Sequence, residues 1–188
     1  IIAHALYSQI DDHQKYGGVV PEIASRSQLE KIMPVTQATL QKAGLSLADL
    51  DAIAVTNRPG LAGSLLVGLS FAKGLAWALN KPIIGINHLE GHLFSCFLQA
   101  DGSVNKAITF PFIALTASGG HTAFYLVKDF GDYELLAKTI DDAAGELFDK
   151  VAKMLGYGYP GGATIEKLAR AQEFKDFFAY PRTKKSDK

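Results

Sequence analysis

The order of patterns along the chain predicts an α/β protein, and three observations carry that reading. Short apolar, β-prone runs at 51–56 and 82–87, with another at 1–9, alternate with helical segments, the order of a largely parallel sheet with crossover helices. From Phe110 onward three β-prone runs follow one another directly, the first two joined by Gly119-Gly120-His121, a glycine turn of hairpin type. The composition is that of a globular chain, 48% hydrophobic and 20% charged over 188 residues.

Residues 1–9 read as a strand, followed by a polar turn at Asp11-Asp12-His13. Gly17-Gly18 then lead to Pro21, a favoured first helical residue because its missing N–H needs no partner there. A helix is expected from there to Ala43, with Ile23, Leu29, Ile32 and Met33 on one side, a kink at Pro34 and Gly44 as its stop. Residues 51–56 form a short strand, 57–60 a turn and 61–80 a glycine-dotted helix. The run 82–87 reads as a buried strand, with a helix from near His88 to about Gln99 and a linker at Asp101-Gly102-Ser103. In the second half, strands are expected at 110–118, 122–127 and 133–140, and helices at 141–155 and 163–172 around a loop at 157–162. Beyond Phe174 no element is evident, and the polar end at 184–188 reads as frayed. A boundary near 100–108 divides two α/β units, 1–108 and 109–188, the second of which looks unfinished.

Charge and composition exclude several classes. The 19 Lys+Arg balance the 19 Asp+Glu, so a simple electrostatic nucleic-acid binder is excluded and RNA contact requires a local patch or a partner. One cysteine, Cys96, makes no internal disulfide. The chain opens in a β-prone run without a methionine or a basic, signal-like start, as a chain cut from something longer would. Residues 61–79 approach membrane length but include Lys73, Ser64, Ser70 and three glycines, so the segment reads as a buried helix. The expectation is a soluble, cytoplasmic protein with no membrane partner.

The sharpest chemical pattern is His88-Leu89-Glu90-Gly91-His92. On a helix the two histidines share a face about one turn, or ~6 Å, apart, and two imidazoles so placed can share a metal ion such as iron or zinc. The pair also follows a strand directly, at the mouth of the sheet where α/β sites usually sit. The alternative is two partly exposed histidines in a first helical turn, and a third ligand must come from elsewhere. The zinc-protease pattern H-E-x-x-H is disfavoured, because Glu90 lies about 200° around the helix from His88. Ser118-Gly119-Gly120-His121-Thr122 reads either as an ordinary hairpin turn or as a backbone anion site. Asp142, Glu146 and Asp149 fall at i, i+4 and i+7, either a solvated face paired with Lys150 and Lys153 or carboxylates reaching ribose hydroxyls. Gly161-Gly162 precede a helix and can leave N–H groups open. Cys96, one turn after His92, reads as a small buried hydrophobe. The mildly basic run Lys167, Arg170, Lys175, Arg182, Lys184, Lys185 reads as solvated surface.

Taken in order, Tyr16-Gly17-Gly18-Val19-Val20-Pro21-Glu22-Ile23-Ala24-Ser25-Arg26, Pro59-Gly60-Leu61, the His88–His92 pattern, Ser118-Gly119-Gly120-His121-Thr122, Asp141-Asp142-Ala143-Ala144-Gly145-Glu146 with Phe148-Asp149-Lys150, and Tyr159-Pro160-Gly161-Gly162 form a series. It closely resembles the TsaD family, the tRNA adenosine threonylcarbamoyltransferases once described as sialoglycoprotein endopeptidases. The resemblance implies the actin/hexokinase/Hsp70-like (ASKHA) two-lobe fold, here an incomplete first lobe plus the start of the second. It implies an acyltransferase, N(6)-L-threonylcarbamoyladenine synthase. Such an enzyme moves threonylcarbamoyl from threonylcarbamoyl-AMP to the exocyclic amine of the adenosine beside the anticodon of tRNA. By the same match His88 and His92 are metal ligands for one Fe2+ or Zn2+. Thr116, Ala117, Ser118, Gly119 and Gly120 form the phosphate-side loop, and Asp149 and Gly162 hold the nucleoside part. The implied partners are tRNA, threonylcarbamoyl-AMP, an inactive paralogue and small ATPase subunits of the bacterial-type complex. Family members begin with two strands and a phosphate loop ahead of residue 1 and continue beyond Lys188 to an Asp that is the third metal ligand. Activity is therefore not expected of these 188 residues alone. Arg58 stands where the family usually has Gly before Pro59-Gly60, which narrows the cleft. The alternatives are a non-catalytic scaffold, which would not need the histidine pair, a sugar kinase or ATPase of the same fold, and a metalloprotease.

Overall fold

Residues 1–180 are described in the computed structural model. Pro21 opens the longest helix. Ahead of it lies a short helix, α1 (Ile10–Gln14), where the sequence suggested a polar turn. His13, in α1, is buried, and its Nδ1 accepts the Val20 N–H at 3.3 Å, tying down the Gly17-Gly18 loop. The long helix, α2 (Pro21–Ala43), continues through Pro34 and stops at Gly44, whose φ of 67° lets its N–H donate to the Gln41 carbonyl at 3.1 Å and the next N–H, of Leu45, donate to the Leu40 carbonyl at 3.0 Å. Strand β1 (Ile53–Arg58), helix α3 (Ala62–Leu79) and strand β2 (Ile83–Asn87) form a crossover unit, with β1 and β2 parallel and Ile53 opposite Ile83. α3 packs on β1 and α2.

Three expectations fail in this half. Residues 1–9 form no strand, because a strand exists only by pairing and no ladder partner lies beside them among the described residues. They run along α2 instead, with the Gln9 side chain donating to the Ala24 carbonyl at 3.1 Å, and a cavity of about 580 Å³ lies between this segment, α2, β1 and α3. β2 is not a buried strand: Ile83, Ile84 and Ile86 are exposed, since α3 covers chiefly β1. Nor is α3 buried all round. It has one packed side, with Ala72 and Ala76 inside and Trp77 88% exposed. Among the described residues it is the one helix long and apolar enough to cross a membrane.

The second half is an antiparallel meander of β3 (Phe112–Ala117), β4 (Thr122–Asp129) and β5 (Asp132–Lys138). Its tight turn places Ala117 opposite Thr122, as the glycine pair predicted. α4 (His88–Phe94) leaves β2 directly and sends Leu93 into a core with Ala123, Tyr125 and Val127 of β4. Phe94, Phe110 and Phe112 pack against that core, and their rings, with that of Phe130, surround Phe97. Cys96 lies beyond the end of α4, in a short 3-10 turn (Ser95–Phe97), and is exposed rather than buried. α5 (Ala144–Met154) begins three residues later than expected, and α6 (Gly162–Ala171) follows the loop. Asp142 therefore precedes α5 and does not share its face with Glu146 and Asp149.

The chain leaves much apolar surface open. Its accessible surface of 13826 Å² compares with about 8,800 Å² for a folded monomer of its mass. Ile140 at 98% and Leu6 at 86% exposure are two of many large apolar side chains in water. In the basic run Arg170 pairs with Glu166 and Lys175 with Glu173, as a solvated surface would. Arg182, Lys184 and Lys185, and the end expected to fray, lie outside the described residues.

Candidate functional site

α4 is positioned by two anchors. The Asn87 side chain accepts the Leu89 N–H at 3.0 Å and caps the helix as the strand ends, and Leu93 is held in the core. With Leu93 inward, His88 and His92 stand on the exposed side. Their Nε2 atoms are 3.0 Å apart and their rings meet edge to face at 4.4 Å. Two imidazole nitrogens at metal-bond distances of ~2.0–2.1 Å are ~2.9 Å apart at a right angle and ~3.3 Å apart in a tetrahedron. The pair therefore fits one ion with little rearrangement. Burial, then the charges of His92 and His121, lower the pKa of His88, which favours the neutral, ligating form. Among the described residues no group of three His, Cys, Asp or Glu side chains converges as a metal site, so the pair supplies two ligands and no more. Glu90 is turned towards Gly131 in the β4–β5 hairpin, so it is not a base for the pair.

The turn after β3 is held from within. Ser118 N–H donates to the His121 carbonyl at 2.8 Å, and the Ser118 hydroxyl accepts the His121 N–H at 3.1 Å. The N–H groups of Gly119 and Gly120 donate to nothing among the described residues, and both glycines are exposed. Of the remaining loop residues, Ala117 is exposed while Thr116 is buried and its hydroxyl donates to the Ala123 carbonyl at 3.3 Å. The Thr116 side chain thus serves the sheet.

α5 links this turn to the second loop. Asp149, on α5, accepts the Gly161 N–H at 2.7 Å, so one of its carboxylate oxygens holds the loop that leads into Gly162 and α6. Lys150 bridges Asp142 at 2.6 Å and Glu146 at 3.0 Å. Those hydrogen bonds raise its pKa, and the solvated ion-pair reading of these two acids holds. Two residues that the sequence motifs include, without a role assigned to them, complete the arrangement. Thr122 Oγ1 accepts the Ala144 N–H at 2.8 Å, and Gly145 lies against Gly119. No local pattern shows these contacts, since the partners are more than twenty residues away. None of these residues lines the cavity of about 580 Å³, which belongs to the first half of the chain.

The chain is thus an α/β protein with a pair of imidazoles at a strand–helix junction and a glycine turn whose N–H groups are open among the described residues. The profile of the family described as tRNA N6-adenosine threonylcarbamoyltransferase, TsaD, matches residues 1–188. The chain belongs to that family. A tRNA N6-adenosine threonylcarbamoyltransferase of Methylobacillus flagellatus is 56% identical over 169 residues, 90% of this chain and 48% of that protein. Proteins of the same name from Geotalea uraniireducens and Syntrophus aciditrophicus are 54% and 51% identical, over 97% and 98% of this chain and 51% and 53% of theirs. The chain thus spans about half the length of the curated relatives it matches. Among solved structures, YeaZ from Pseudomonas aeruginosa is similar at 20% identity with a TM-score of 0.42, covering 63% of this chain and 53% of that chain.

Proposed function

We propose that this chain supplies the phosphate-side loop and two metal ligands of a tRNA N6-adenosine threonylcarbamoyltransferase. The observation that carries the reading is the His88–His92 pair, its nitrogens 3.0 Å apart on the exposed side of α4, in a chain matched by the family throughout. His88 and His92 would hold one Fe2+ or Zn2+, which when bound supplies Lewis-acid polarisation. The donor of the reaction is threonylcarbamoyl-AMP. The adenosine amine nitrogen forms a bond to the carbamoyl carbon, the carbon–oxygen bond to phosphate breaks, AMP departs with that electron pair, and the amine gives up a proton. The open N–H groups of Gly119 and Gly120 donate to the phosphate oxygens as their charge grows. Asp149 and the start of α6 at Gly162 receive the nucleoside.

The finer arrangement belongs to the same proposal. Residues 1–108 and 109–188 are the parts of two lobes of the actin/hexokinase/Hsp70-like fold, with α4 running from one into the core of the other. The third metal ligand, the tRNA contacts and the docking of the inactive paralogue and small ATPase subunits are assigned to the rest of the complex, in the cytoplasm. In the full-length protein, His88→Ala and His92→Ala should lose bound metal and threonylcarbamoyl transfer together. Unchanged transfer in both variants would overturn the proposed role of the pair.

A further inference from the structure

The glycines around the two loops do different jobs. A Cβ added at Gly119, Gly120 or Gly162 would meet nothing within 4 Å, which leaves those backbones approachable. A Cβ added at Gly145 would lie 2.8 Å from Gly119 Cα, Gly119 N and Ser118 C, all backbone atoms. One added at Gly161 would run into Ala152 Cβ and come within 2.8 Å of the Phe148 carbonyl oxygen. Neither Gly145 nor Gly161 has a positive φ, so space and not backbone conformation demands glycine there. Both tight contacts involve α5: its first turn presses on the Ser118-Gly119 turn, and its later residues press on the loop before α6. Hydrogen bonds fasten each joint. Ala144 and Gly145 donate to Thr122 Oγ1 and the Ser118 carbonyl at 2.8 and 3.1 Å, and Gly161 donates to Asp149 at 2.7 Å.

We infer that α5 is a rigid spacer setting the distance between the turn that receives the phosphate and the loop that receives the nucleoside, with Gly145, Gly161 and Thr122 as positioning residues that touch no substrate. The inference rests on the adenylate reading above. Gly145 and Asp149 are ~6 Å apart along the helix axis, and a methyl group at either joint must move one loop relative to the other. Displacement of binding groups by about 1 Å can cost two orders of magnitude in rate.

The test uses the full-length protein, with AMP as the probe in isothermal titration and metal content and thermal melting as controls. Gly145→Ala should weaken AMP binding about tenfold or more while bound metal stays near that of the unsubstituted protein, since the histidine pair lies on another element, and a cooperative melt, at a lowered temperature, shows that the variant folds. Thr122→Val should weaken AMP binding and Thr122→Ser, which keeps the hydroxyl, should restore it; this pair decides the matter if Gly145→Ala does not fold. Equal AMP affinity in Gly145→Ala, or in Thr122→Val, and the unsubstituted protein overturns the spacer alone. Failure of the unsubstituted protein to bind AMP overturns the adenylate reading and the spacer with it.

Discussion

Asp149→Ala removes the acceptor that holds the loop before α6, and the structure sets the size of the effect. The Gly161 N–H, on a buried residue, has the Asp149 carboxylate as its partner at 2.7 Å. Hydrogen bonds to a charged group contribute roughly 1.5–3 kcal/mol, and because Asp149 is only half-buried the lower part of that range applies, about 1.5–2 kcal/mol. Gly161 amide exchange should therefore accelerate by roughly 10–30-fold in the substituted full-length protein, because local opening becomes easier by that free energy. Asp149→Asn keeps an oxygen acceptor without the charge, and its exchange should fall between the two. Hydrogen exchange read by NMR at the Gly161 amide checks both. Equal exchange at Gly161 in all three proteins would refute the claim that this carboxylate fastens the loop, and exchange as fast in Asn as in Ala would show that charge, not the acceptor oxygen, is what matters.

Further outcomes follow from other parts of the molecule. His88, its pKa lowered by burial and by the charges of His92 and His121, should titrate below the ordinary 6.5 in the metal-free protein, and His92→Ala should move it back up; NMR titration of the imidazole checks this. Because the folded value is the lower one, the contribution of His88 to stability is complete above 6.5 and shrinks as pH falls from there towards the folded value. His13→Ala, which deletes a buried ring and strands the Val20 N–H, should cost about 2 kcal/mol, read as a lowered urea midpoint. The 188-residue chain by itself, with its surplus of exposed apolar surface, should associate and lack a sharp melt in light-scattering and calorimetric scans. A monomer with a cooperative transition at high temperature would contradict that.

Short-range chemistry made a good part of this protein legible from its residues. Pro21 and Gly44 bound α2, the glycine pair after β3 forms the turn it suggests, and the four-residue spacing of His88 and His92 puts both rings on one side of a helix. Each of those outcomes depends on backbone freedom or helical period within a few neighbouring residues. Other outcomes depend on groups far apart in the chain, and only the tertiary structure decided them. The β-prone residues 1–9 have no ladder partner among the described residues, while β2 and much of α3 keep apolar side chains in water because α3 covers only one part of the sheet. Leu93, by taking the inward position in a core made by β4, turns the histidine pair outward. Thr122 and Asp149 hold N–H groups 22 and 12 residues away. Periodicity has no access to such pairings, because they come from the packing of α5 against its two loops rather than from preferences within a local window.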